Sequence, residues 1–267
     1  MKKFLSALLL VIMFAGISSA TVIGNLSESN LSGENFKKEL NYHGIILAGV
    51  LAEGFKDLTP KFYDSLSLMQ LALHKGEIDA IGCPELIGEY MLRHSSEYNL
   101  RGYAILRKQT NLAFGFLEEK SALRDRFSEA INSMMNDGTL GLIVKDYLSG
   151  PNSDNPPAVK LDHFDDAETI NVAVTGDMPP IDYVAEDGTP AGYNTAFLAE
   201  LGRRLHININ LISIDTGTRA AALKSGRADV VFWFKVYGDG RVLDIPEGVI
   251  LSVPYYAWNK ALLIGKK

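Results

Sequence analysis

The sequence predicts an α/β protein built of two similar lobes, on three observations. The segment Ala72-Leu73-His74-Lys75-Gly76-Glu77-Ile78-Asp79 recurs as Ala222-Leu223-Lys224-Ser225-Gly226-Arg227-Ala228-Asp229. In each copy an apolar helix ends at a glycine suited to a left-handed C-cap and an apolar strand opens, the return step of a parallel βαβ unit. Helical and strand-like apolar periods alternate along most of the remaining chain, the pattern of an α/β architecture. The 267 residues contain one cysteine, so stability must come from a packed core, for which the length suffices.

Residues 1–20 read as a secretory signal, with Lys2 and Lys3, an apolar run over 4–17 and the small-residue end Ser18-Ser19-Ala20. The run is shorter than the ~20 residues that span a bilayer, which makes cleavage after Ala20 and export to a periplasm the expectation. Cys83 lies too far from that point to carry a lipid anchor. Loss of Lys2 and Lys3 takes the formal charge from −6 to −8. No basic stretch or basic-aromatic pattern follows, so nucleic acid and anionic membranes are not expected partners.

The elements follow in order. Residues 22–106 read strand, helix, an apolar run at 45–51, strand near 61–63, helix 65–74, strand 79–82 and helix 85–92. A short strand is expected at 111–116. Residues 121–148 read as two helices, with Leu123, Phe127, Ile131 and Met134 on one face and Asp137-Gly138-Thr139 between them. Three prolines, a glycine and small polar residues over 150–157 mark a linker. Beyond it come a strand at 170–174, the turn Asp177-Met178-Pro179-Pro180, a hairpin about Glu186-Asp187-Gly188 and a helix at 195–205. A strand at 207–214, a helix at 219–224, a strand at 230–234 and a last strand at 261–264 complete the chain. Ligands of parallel sheets gather beyond the carboxyl ends of the strands, which directs attention to Cys83-Pro84-Glu85 and to Trp233-Phe234-Lys235.

Val172-Ala173-Val174-Thr175, Met178-Pro179-Pro180-Ile181-Asp182-Tyr183, Asp187 through Asn194, Gly226-Arg227-Ala228-Asp229, Arg241 and Ser252-Val253-Pro254-Tyr255-Tyr256 resemble the opening half of periplasmic solute-binding proteins of the polar amino-acid type, family 3. Tyr63-Asp64-Ser65, Gly76-Glu77-Ile78-Asp79-Ala80 and the stretch from Leu123 to Leu148 resemble that family's closing half. The resemblance implies a type 2 periplasmic-binding-protein fold with its halves in reversed order, a circular permutation: residues 21–112 as the smaller lobe 2 and 113–267 as lobe 1, with 150–165 joining the ancestral ends.

The same resemblance implies a ligand site. Arg241, twelve residues after Asp229, stands where the family grips a carboxylate, a task suited to the planar guanidinium fork. Thr175 and Met178 match pocket-lining positions, and Asp177 and Asp182 add negative charge nearby or serve as turn formers before and after the prolines. Trp233 and Phe234 replace a small residue and a glycine, narrowing the cleft or packing the core. Where the family keeps an amine-binding aspartate in lobe 2, this chain has Pro84, with Glu85 next as a ligand contact or a helix-dipole partner. Ser27 and Asn25 are further polar candidates.

No nucleophile elbow, P-loop or zinc spacing is present, and His43, His74, His94, His163 and His206 are scattered, so neither metal nor cofactor is expected. The function implied is a monomeric receptor that closes on a small carboxylate-bearing solute and delivers it to an inner-membrane ABC transporter permease. Two rivals share the fold: a lyase of the cyclohexadienyl dehydratase kind with Glu85 as its acid, and a sensory input domain.

Overall fold

The computed structural model describes residues 21–26, 46–47, 58–151, 153–237 and 245–267. The signal-like residues 1–20, most of the apolar run at 45–51, Ser27 and Arg241 lie outside the described residues.

Ten strands form one sheet, in the order β10-β6-β11-β5-β13-β4-β1-β3, with β2 (Ile46–Leu47) and β12 (Val249–Leu251) paired to β5 beside that path. Its two ends repeat one plan. At one end β1 (Thr21–Leu26) lies between β3 (Leu58–Tyr63) and β4 (Ala80–Pro84), parallel to both. At the other, β6 (Thr169–Val174) lies parallel between β10 (Asn208–Ser213) and β11 (Val230–Tyr237). In both, the chain passes from outer to inner strand through one helix, α1 (Leu66–Lys75) or α6 (Arg219–Lys224).

The recurring segment explains why the two ends match. α1 starts because the Ser65 side chain accepts from Leu68 N (3.2 Å), and it stops because Gly76 sits at φ 72°. There the N–H groups of Gly76 and Glu77 turn back to Leu73 O and Ala72 O (3.1 and 2.9 Å). Gly226, at φ 70°, ends α6 in the same manner, with Gly226 N on Leu223 O at 3.0 Å and Ala228 N on Ala222 O at 3.1 Å. Each segment then closes on an aspartate with two bonds to the start of the central strand. Asp79 N donates to Val22 O while its carboxylate accepts from Val22 N, both at 2.8 Å. Asp229 N donates to Asn171 O and its carboxylate accepts from Asn171 N, again both at 2.8 Å. The aspartate thus pins a residue in the first half of the neighbouring strand, the second of β1 or the third of β6, so the recurrence is a structural device repeated in each half.

Between the two ends run β5 (Tyr98–Leu117), twenty residues long, and its antiparallel partner β13 (Tyr256–Lys266). β5 meets β11 and β12 through its second half, whereas β13 pairs with β4 from Ala261 to Ile264. The expected boundary at 112/113 falls within the continuous β5, and the expected last strand at 261–264 is the end of a longer one. Both strands belong to both halves of the sheet.

The helices cover the faces. α2 (Glu85–His94) packs by Ile87, Gly88 and Met91. α3 (Ser121–Asn136), α4 (Thr139–Val144) and α5 (Tyr193–Leu205) cover the other half. Phe127, Ile131 and Met134 of α3 are fully buried, and Phe127 meets Phe114 and Phe116 edge-on at 5.7 and 5.2 Å. Leu123, expected on the same face, packs at the margin of this core. On the opposite face of the sheet Ala173, Ile214, Leu223, Val231 and Phe234 form a second cluster.

β7 (Asp177–Met178), β8 (Asp182–Val184) and β9 (Pro190–Ala191) form a small separate sheet after β6. The expected linker is tied down: Tyr147 Oη donates to Pro157 O at 3.0 Å and Arg93 Nε donates to Asp154 Oδ1 at 2.8 Å.

Candidate functional site

The carboxyl ends of the parallel strands at the two ends of the sheet meet. Asp64, directly after β3, offers its carbonyl to Thr216, which begins the 3-10 turn leading into α6, and accepts from both its N–H (3.1 Å) and its Oγ1 (3.0 Å). Asp177, the first residue of β7, places Oδ2 at the first turn of α1, where it accepts from Ser67 N at 3.1 Å and Ser67 Oγ at 3.2 Å. A carboxylate is well placed at a helix N-terminus, and α1 has no acidic residue in its own first turn. The mouths of the two halves therefore face one another, with Asp177 at the junction and its Oδ1 buried without a partner.

Behind Asp177 stands a buried carboxyl. Asp182, 2% exposed, accepts from Thr175 Oγ1 at 2.6 Å, Gly176 N at 2.5 Å and Asn194 Nδ2 at 3.3 Å. Burial, helped by the nearby charge of Asp177, outweighs these bonds and pushes its pKa up to about 6. Asn194 Oδ1 is buried without a partner beside it. Thr175 therefore spends its hydroxyl on Asp182. Met178, expected to line a pocket, is 1% exposed and packs in the main core.

Glu85 opens α2 and forms an ion pair with Lys260 of β13. That bond raises the Lys260 pKa, and the ammonium also stands 5.6 Å from the ring centre of Tyr103. Tyr256, four residues earlier on β13, lies tilted against Tyr193 of α5 with ring centres 5.5 Å apart. Burial first, then the charges of Glu85 and Glu89, lift its phenol to about 12.

Phe234 is 5% exposed and packs in the second cluster, as the core alternative for it anticipates. The Arg219 guanidinium stands 5.6 Å from the Phe234 ring centre, and its Nε donates to Thr216 O at 3.0 Å. Arg219, 9% exposed at the mouth, was not singled out from sequence. One signal marks it: a cation at the first position of a helix opposes the dipole there and requires another reason for its placement. The Trp233 side chain, like Arg241 and Ser27, lies outside the described residues. Asn25 turns its Nδ2 onto Ile23 O at 3.2 Å. Cys83 is buried with its thiol pushed up to about 12 by burial alone, so it is no nucleophile in this state.

Among the described residues no cluster of His, Cys, Asp and Glu could hold a metal ion, and no helix is long and apolar enough to cross a membrane. A shallow groove lined by Leu161, Leu198, Arg203 and Ile209 lies at the start of β10, the end of the sheet opposite the mouth.

Residues 170–267 match the family described as bacterial extracellular solute-binding proteins, family 3. No curated protein matches the sequence. Among solved structures, the chain is similar to the ligand-binding component of an ABC-type import system from Staphylococcus aureus with zinc bound, at 11% identity and a TM-score of 0.43 over 93% of this chain and 66% of that one. It is also similar to the alkanesulfonate-binding protein SsuA from Xanthomonas axonopodis pv. citri bound to MOPS, at 9% identity and 0.43 over 95% and 67%. A third likeness is to the GluR0 ligand-binding core from Nostoc punctiforme in complex with L-glutamate, at 11% identity and 0.38 over 92% and 85%. The chain spans about two thirds of the length of the first two. The likeness to the family rests on the match over residues 170–267. Residues 170–267, which supply β6 to β13 and one wall of the mouth, are the part of the chain that is similar to bacterial extracellular solute-binding proteins of family 3.

Proposed function

We propose that the protein is the substrate-binding component of an ABC-type importer, closing two lobes in the periplasm around a small carboxylate-bearing solute, an amino acid or a related compound. One observation carries the reading: two equivalent βαβ ends, each pinned by its own aspartate, face each other mouth to mouth and touch through Asp64–Thr216 and Ser67–Asp177. That is the geometry in which ligand contacts on both sides stabilise hinge closure. The family match over 170–267 supports it, and the early position of the β3-β1-β4 end is consistent with a permuted order of halves. Residues 1–20 support export, and a monomer delivering to an inner-membrane permease is the corresponding assembly.

Arg241 is the anchor for the ligand's carboxylate in this reading. Glu85 is already engaged by Lys260, so this part of the mouth presents an ion pair to a ligand where a bare carboxylate would favour an ammonium group. The test is native mass spectrometry of protein purified from cells, followed by calorimetry with the molecule recovered. Loss of a bidentate charge contact in a partly desolvated cleft costs about 2 to 5 kcal/mol, so Arg241→Ala is expected to weaken binding roughly 30-fold or more, with the ligand recovered unchanged. Unchanged affinity in Arg241→Ala overturns the anchor, and consumption of prephenate that depends on Glu85 overturns the receptor reading in favour of a lyase.

A further inference from the structure

We propose that Asp177 is an intramolecular latch that holds the two halves of the mouth together when no ligand is bound. The inference uses the contacts themselves and stands whatever the ligand proves to be. Asp177 comes from the 169–178 strand-and-turn segment, and Ser67 from the helix at the far end of the sheet, 110 residues earlier in the chain. The chain crosses between the two halves through β5, and β13 pairs with strands of both, so contact across the mouth is not imposed by local connectivity. It requires a bond, and the residues show which one.

α1 needs an acceptor at its start. Its Ser65 cap satisfies Leu68 N, which leaves Ser67 N to be met from outside, and the first turn has no acid of its own. Asp177 meets it from the opposite wall, with a second bond from Ser67 Oγ. Beside this, Asp64 O takes two bonds from Thr216, itself 5% exposed. Four hydrogen bonds thus cross the mouth within the short stretch from Asp64 to Ser67. The charged member is the one that helix α1 attracts specifically, and its cost is visible: Asp177 Oδ1 is buried without a partner. The contact is thus favourable at one oxygen and unsatisfied at the other.

The test compares the ligand-free full chain with Asp177→Ala and Ser67→Asp by small-angle scattering and by hydrogen exchange at the Ser67 amide. Ser67→Asp supplies α1 with its own first-turn acid, which favours the helix while repelling Asp177. It therefore separates a latch from a merely local cap. Glu119→Ala, which removes a charge from the exposed turn 118–120, is the control. The expected result is a compact wild type and control, a larger radius of gyration in both mouth variants, and about tenfold faster exchange at Ser67 in Asp177→Ala, the scale of one lost charge-assisted bond. A wild type already expanded, or a Ser67→Asp variant as compact as wild type, overturns the latch. Should Asp177→Ala fail to fold, Ser67→Asp alone decides.

Discussion

Asp182→Asn should stabilise the protein above pH 6 and abolish one component of its pH dependence. The Asp182 carboxyl is buried and its pKa stands at about 6 against an ordinary 3.8. The folded state therefore holds this proton more tightly than the unfolded chain does. Its contribution is full below pH 3.8, is lost as pH rises towards 6, and stays lost above that. A displacement of about two units at about 1.4 kcal/mol per unit makes the loss about 3 kcal/mol. Asparagine has nearly the same shape and no charge to desolvate. Its Oδ1 can still accept from Thr175 and Gly176, while its amide N–H groups face Asn194, whose Oδ1 is buried without a partner. A flip of the Asn194 amide then converts a clash of donors into a hydrogen bond. Urea unfolding of both proteins from pH 4 to 8 gives the difference curve. It should rise between pH 4 and 6 and level off with the variant more stable by up to about 3 kcal/mol. A flat difference curve, or a variant less stable than wild type at pH 7.5, refutes the argument that burial outweighs the three bonds.

Three further outcomes are expected. Cys83, buried with its thiol at about 12, should not react with an aromatic disulfide reagent at pH 8 in the native protein but should react fully in denaturant, and fast native labelling would contradict its burial. In Gly115→Ala the new Cβ would lie 2.2 Å from the Phe234 ring, an overpacking of about 1 to 3 kcal/mol that thermal unfolding should register as a lower melting temperature. Asp229→Ala should cost about 1.5 to 3 kcal/mol, because it leaves Asn171 N–H on β6 and Lys120 without their shared acceptor. Asp79→Ala, at a more exposed site, should cost less in the same assay, and equal costs would argue against the burial-dependent account.

The interior of each element was legible from local signals. Ser65, Gly76 and the spacing of Leu66, Met69 and Leu73 decide where α1 starts, stops and faces, because caps and periodicity act within a few residues. The same holds for the helix bearing Phe127, Ile131 and Met134, and for the turn around Gly188. The doubled βαβ plan followed from the recurring segment, since its helix, glycine and strand are all local features. Tertiary structure alone assigned work to the polar residues. Asp79 and Asp229 pin strands 57 and 58 positions away, Glu85 pairs with a lysine 175 positions away, and Asp177 caps a helix 110 positions away. Met178 and Phe234 look the same in sequence whether they line a cleft or fill a core, and packing against the rest of the chain placed both inside. The 20-residue β5 was equally hidden, because its two halves take different partners and no local pattern records that one strand serves both ends of the sheet. Apolar pattern and capping are read along the chain, whereas the partner of a charge is chosen by whichever distant segment the sheet brings within about 3 Å.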